Sequence, residues 1–145
     1  MRILGIDYGD RRIGLAVCDP TETAVTGLPT VEWDGEDVDA LVRRLSEILA
    51  GYAGDGSPVE RIVLGLPLRA DGTEGDAARK IRRFGERLST ALGLPLDAYD
   101  ERHTTEDSRA ALRGTGWSGK KKKTKLDVMS AILILRGYLD AKRGG

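Results

Sequence analysis

The sequence predicts an α/β domain with helices on both faces of a five-stranded mixed sheet, and three observations carry that expectation. A strand-turn-strand phrase opens the chain, helical and strand-like stretches then alternate, and the apolar run from Arg61 to Leu66 suits a central parallel strand. Helices between parallel strands must cross over the sheet, so both of its faces are covered.

Arg2 to Ile6 reads as a buried strand ending at Asp7. Arg12 to Cys18 reads as a second strand after the polar connection Tyr8-Gly9-Asp10-Arg11, which is a hairpin signal. Gly27 to Trp33 supplies a third strand. From Glu36 to Ala50, the residues Val38, Leu41, Val42, Leu45, Ile48 and Leu49 recur at helical spacing, with Gly51 and Gly54 as the expected stop. After the Arg61 to Leu66 strand, a Pro/Gly loop leads into a helix from Thr73 to Leu92. There Thr73 and Asp76 resemble a capping box, and Ala77, Ile81, Phe84 and Leu88 form the buried stripe. Leu96 to Tyr99 is the fifth strand, and Thr105 to Arg113 is a short helix capped by Thr104 or Thr105. Gly114 to Lys123 reads as a linker, and Leu126 to Lys142 as a final helix, with Asp127 in its first turn. No internal repeat is present.

A chain of 145 residues, 40% hydrophobic and 32% charged, fits a single globular domain spanning residues 1–145. Its longest apolar run, Ala131 to Leu135, is too short to span a bilayer, and the opening residues lack the apolar region and cleavage site of a signal peptide. A cytoplasmic location is expected. Cys18 is the sole cysteine, which excludes an internal disulfide or a cysteine-based zinc site and points away from redox chemistry.

The net charge is zero, but it is unevenly spread. Residues 1–60 hold 5 Lys and Arg against 12 Asp and Glu, and residues 61–145 hold 18 against 11. Eight basic residues fall between Arg102 and Lys125, against Glu106 and Asp107 alone. Such a stripe attracts phosphate even on a neutral protein, with a solvated loop as the weaker alternative from charge alone.

Three acidic residues stand in distinctive phrases: Asp7 in Ile6-Asp7-Tyr8-Gly9, Glu101 in Asp100-Glu101-Arg102-His103-Thr104-Thr105, and Asp127 in Lys125-Leu126-Asp127. Ligand sites of open α/β sheets lie beyond the carboxyl ends of strands, and Asp7 and Glu101 both fall at such ends. Read on their own, Asp7 is equally a strand-end turn residue, and Asp127 a helix-start charge favoured by the macrodipole.

The chain resembles the YqgF (RuvX) group of RNase H-like nucleases, relatives of the Holliday junction resolvase RuvC. The resemblance runs through Gly5-Ile6-Asp7-Tyr8-Gly9 with Arg12-Ile13-Gly14-Leu15-Ala16, then Val63-Leu64-Gly65-Leu66-Pro67-Leu68 with Asp71-Gly72. It continues through Asp100 to Thr105 and closes with the Lys-rich loop, Asp127 and Ala131 to Leu135, so it covers essentially the whole chain. His103 and Met129-Ser130 depart from the usual pattern and remove no expected ligand. The resemblance implies an RNase H-like fold with the second of five strands antiparallel. It also implies work on the small-subunit ribosomal RNA precursor (pre-16S rRNA) or on branched DNA.

With that resemblance, the expected chemistry is two-metal hydrolysis of a phosphodiester by Mg²⁺ or Mn²⁺, hard cations that prefer carboxylate oxygen. Asp7 would bridge the ions, Glu101 and Asp127 would each complete one coordination sphere, and no covalent enzyme intermediate is needed. Gly9, Arg102, Thr104, Thr105, Lys120, Lys121, Lys122 and Lys123 are the expected nucleic-acid contacts. Flexible lysines read backbone shape rather than base sequence. Gly9 is equally well explained as a turn glycine and Trp117 as either a stacking platform or a loop anchor, while His103, beside Glu101, reads as a bystander in preference to a proton-transfer group.

Structured RNA is the expected partner, with pre-16S rRNA favoured. The alternative is a junction resolvase, which would act symmetrically and normally as a homodimer. A non-catalytic RNA-binding assembly factor is a third reading. An actin-like ATP-binding domain is a fourth, because Gly5 to Gly9 also resembles the first phosphate motif of that class. That class needs a second domain and a second phosphate hairpin, neither of which the sequence supplies.

Overall fold

The computed structural model describes residues 1–101 and 119–144, and of 119–126 only the backbone. The helix expected over Thr105 to Arg113, together with Arg102, His103, Thr104, Thr105 and Trp117, lies outside the described residues. Strands β1 (Arg2–Asp7), β2 (Arg12–Cys18) and β3 (Val25–Glu32) are followed by helix α1 (Val38–Gly54), β4 (Val59–Leu66), α2 (Asp76–Leu92), β5 (Leu96–Asp100) and α3 (Gly119–Gly144). The sheet order is β3-β2-β1-β4-β5. Strand β2 runs antiparallel to β1 and β3, while β4 pairs parallel with both β1 and β5.

The period of two along each strand sorts side chains between two layers. Leu4 and Ile6 of β1, with Ile13, Leu15 and Val17 of β2, pack on one face against Leu41, Leu45 and Leu49 of α1 and Ile81, Phe84 and Leu88 of α2. Ile3, Ala16, Cys18 and Val63 face the other way, against Ala131, Ile134, Leu135 and Leu139 of α3. Asp7, two residues beyond Gly5, and Arg12, two before Gly14, belong by alternation to the α3 face.

That second face is lined with small residues. A Cβ on Gly5 would stand 2.9 Å from Leu135 Cβ, and one on Gly14 2.8 Å from the carbonyl carbon of Asp127. Helix α3 therefore lies directly on the sheet. Its far end is tied down by Glu22, a non-glycine residue at φ +61°. The Glu22 carboxylate accepts from Lys142 Nζ at 2.8 Å and from the N-terminal ammonium at 2.8 Å, and its carbonyl accepts from Arg143.

Local chemistry explains where the elements stop, and it corrects five expectations. Helix α1 is capped by Asp37, whose side chain accepts from Ala40 N at 3.0 Å, and it continues through Gly51 to Gly54. An open position tolerates Gly51 at about 1 kcal/mol, and the chain turns only where Gly56 takes φ +81°. The Thr73 capping box does not form. Thr73 Oγ1 donates to Asp71 at 2.6 Å, and the α2 N-cap is Gly75. Ala78 rather than Ala77 joins the buried stripe, a rotation of one residue. The linker read through Lys123 ends earlier, because α3 starts at Gly119 and Lys120 to Lys123 lie within its first turns. Lysine is a good helix former, so a charge run alone does not mark a loop. Asp127 consequently sits more than two turns inside α3 instead of in its first turn. Among the described residues, no helix is long and apolar enough to cross a membrane.

Candidate functional site

Asp7 closes β1 at the carboxyl edge of the sheet, and its cross-strand partner on β2 is Gly14. The backbone of Asp127 rests on Gly14, so the helix delivers this second acid one strand away from the first. Glu101 follows β5 directly, two strands from β1. A Cβ on Gly65 of the intervening β4 would stand 2.9 Å from both Glu101 Cγ and Cδ, so the bare glycine is the surface over which Glu101 reaches. Residues separated by long stretches of chain thus converge on one face.

The opposite face braces the edge. Tyr8 packs against Trp33 at 5.6 Å and against Phe84 at 4.9 Å between ring centroids. Trp33 Nε1 donates to the Gly9 carbonyl at 2.9 Å, and Lys80 of α2 pairs with Asp10 at 3.2 Å. A side chain at Gly9 would strike the Arg12 carbonyl oxygen, so closure of the β1–β2 turn by itself accounts for that glycine.

The electrostatics are those of like charges crowded together. Asp7 and Glu101 lie close enough for their carboxyl groups to hydrogen-bond, which they can do only when one of them carries a proton. Burial first, then that hydrogen bond, then the negative charges of Glu101 and Asp127, raise the Asp7 carboxyl from 3.8 to about 9. Asp127 is turned toward Arg12, whose Nε donates to its Oδ2 at 3.0 Å. Asp7 and Glu101 therefore meet, while Asp127 stands within electrostatic reach and is held by a guanidinium. Among the described residues, no three carboxylate, imidazole or thiol groups lie close enough together to hold a metal ion as they stand.

Sequence reasoning passed over Arg12, Gly14 and Gly65 as individual actors. The strand alternation that puts Arg12 and Gly14 on the Asp7 face was the available signal.

The family model described as RuvX, Holliday junction resolvase, matches residues 1–141. A protein of Syntrophus aciditrophicus named as a candidate pre-16S rRNA nuclease is 40% identical over 144 residues, covering 97% of this chain and 89% of its own. The structure of T. thermophilus RuvC in complex with Holliday junction substrate superimposes with a TM-score of 0.62 at 19% identity, covering 99% of this chain and 96% of that one. The fowlpox virus Holliday junction resolvase gives 0.54 at 17% identity, covering 97% and 99%. The two solved structures share the five-stranded α/β architecture of the RNase H-like fold.

Proposed function

The chain belongs to the RuvX family, and from that premise we propose that it is a metal-dependent nuclease that hydrolyses phosphodiester bonds of structured nucleic acid, with pre-16S rRNA as its substrate. The observation that carries this reading is the convergence of Asp7 and Glu101, with Asp127 beside them, at the carboxyl edge of the sheet.

The residues fit a hard divalent cation. The donors are carboxylate oxygens only, and the raised Asp7 carboxyl marks a place of concentrated negative charge. Asp7, Glu101 and Asp127 would hold the cations. Bound Mg²⁺ or Mn²⁺ supplies charge neutralisation for the phosphate and acidifies water near neutral pH.

What the chain itself does follows from its electrostatics. Asp7 keeps a proton in the metal-free protein and must surrender it for the site to load, so cation affinity rises with pH. Gly14 and Gly65 leave room for the acids to converge, and the Tyr8, Trp33 and Phe84 packing holds the end of β1 in place. Arg102, Thr104, Thr105 and Lys120 to Lys123 are the proposed phosphate contacts. Backbone contacts of this kind position a substrate without reading its sequence.

The test is cleavage of end-labelled pre-16S rRNA and of a four-way DNA junction, side by side in Mg²⁺ or Mn²⁺, by wild type and Asp7→Asn. Metal-dependent cutting of the RNA that disappears in the variant supports the proposal. Selective cutting of the junction moves the function to DNA recombination and repair, in keeping with the family's description. Cutting that survives Asp7→Asn identifies a contaminant.

A further inference from the structure

Arg12 holds an acid that the proposed site needs elsewhere. By strand alternation it shares the α3 face with Gly14, and α3 rests its Asp127 backbone on that glycine. The ion pair is the consequence. It is a single-point contact, Nε to Oδ2 at 3.0 Å, rather than the two-pronged grip a guanidinium can make on a carboxylate. Among the described residues, the two Nη groups of Arg12 have no hydrogen-bond partner. The two side chains are 22% and 26% exposed, so solvent and ions reach them.

We infer that Arg12 is a built-in counter-ion for Asp127, which a divalent cation must displace before the third carboxylate can join Asp7 and Glu101. The inference rests on the metal-dependent reading above. Its physical basis is competition, since a carboxylate satisfied by a guanidinium 3.0 Å away is withheld from an incoming cation until that pair opens. Close packing on Gly14 fixes the backbone of Asp127, so the freedom left to the residue is rotation of its side chain. Arg12 is thus a positioning residue that sets how readily the site loads, distinct from the acids that would do the holding.

An ordinary structural ion pair makes the opposite forecast. Removing it would loosen Asp127 and weaken metal binding, or leave it unchanged, whereas removing a competitor strengthens it. The experiment is Mn²⁺ binding to the full chain by electron paramagnetic resonance, for wild type, Arg12→Gln and Arg12→Lys, with thermal melting in EDTA to establish folding. A partly exposed pair of this kind is worth up to about a factor of five in an equilibrium constant, so Arg12→Gln is expected to bind Mn²⁺ roughly fivefold more tightly. Arg12→Lys, which keeps a charge but loses the planar fork, should fall between the two and carries the test if Arg12→Gln does not fold. Equal or weaker binding by the folded variants, with wild type binding normally, overturns the role of Arg12 and leaves the metal-dependent reading standing. Absence of Mn²⁺ binding in wild type overturns both.

Discussion

The two ends of helix α3 meet the sheet under opposite electrostatic conditions. Near Lys142 and Arg143, unlike charges are matched: the Glu22 carboxylate accepts from a lysine and the N-terminal ammonium, while Arg143 donates to the Glu22 backbone carbonyl, and the carboxyl is held below the usual range, chiefly by its hydrogen bonds to Lys142 and the ammonium. Near Asp127, like charges are gathered, and Asp7 is pushed up to about 9. One end lowers the energy of the metal-free fold, and the other raises it. Crowding of this kind, only partly offset by Arg12, is a hallmark of groups arranged for chemistry, so the contrast supports the proposed site on physical grounds alone.

Breaking the crowded end has the largest expected effect. Asp7→Asn keeps the shape and removes the charge, and cleavage should fall by about three orders of magnitude or more in a single-turnover assay, as expected when a cation is lost from its site. The same variant should be more stable than wild type in EDTA at pH 8, by roughly 5 °C, because it folds without the proton that Asp7 must take up to be buried at that pH. The pH dependence follows in sign. Asp7 binds its proton more tightly folded than unfolded, so its contribution is fully present below pH 3.8 and disappears as pH rises through about 9. Metal-free wild type should therefore lose stability between those limits. Denaturant titrations of Asp7→Asn across the same range should show a flatter profile.

Gly14→Ala tests how the two regions are joined. The new methyl would meet the Asp127 backbone, which cannot step aside as a flexible side chain could. Overpacking of this kind costs about 1–3 kcal/mol, and displacing Asp127 by about 1 Å should lower kcat on the order of a hundredfold. Melting and steady-state kinetics on the same preparation check both parts. Unchanged kinetics in a folded variant would mean that the seat on Gly14 does not set the site.

Lys120→Ala with Lys121→Ala should act on binding alone. Affinity should fall and the slope of log K against log salt should lose about 1.5 to 2, as expected for two lost phosphate contacts. Fluorescence anisotropy across salt concentrations measures it, and an unchanged slope removes these lysines from the interface.

The smallest effect belongs to the matched end. Glu22→Gln should cost no more than about 1 kcal/mol, since its ion pairs are partly exposed, and should leave cleavage unchanged. Because the Glu22 carboxyl is lowered on folding, its contribution is present above pH 4.5 and disappears as pH falls, the reverse of Asp7.

The fold was legible because strand and helix periods differ and because the apolar runs are long enough to register. Strand β2 fell on the expected residues and β1 ended at Asp7 as expected, since a buried run of alternating faces leaves little latitude. Ends were less legible. Gly51 looked like a stop but is tolerated inside α1, and Thr73 looked like a cap but spends its hydroxyl on Asp71. At the site, Asp7 and Glu101 could be placed together from strand ends alone. The capture of Asp127 by Arg12 could not, because it depends on how closely α3 approaches the sheet, and that distance is set by glycines whose partners lie on another element. Sequence shows a glycine, but only packing shows what rests on it.

The most direct test of the crowded end as a cation site is the melting temperature at pH 8 with and without Mn²⁺, for wild type and Asp7→Asn. The account predicts that Mn²⁺ raises wild type by several degrees, as a ligand specific to the folded state must, and leaves the variant where it was. An equal rise in both proteins, or none in wild type, would contradict it.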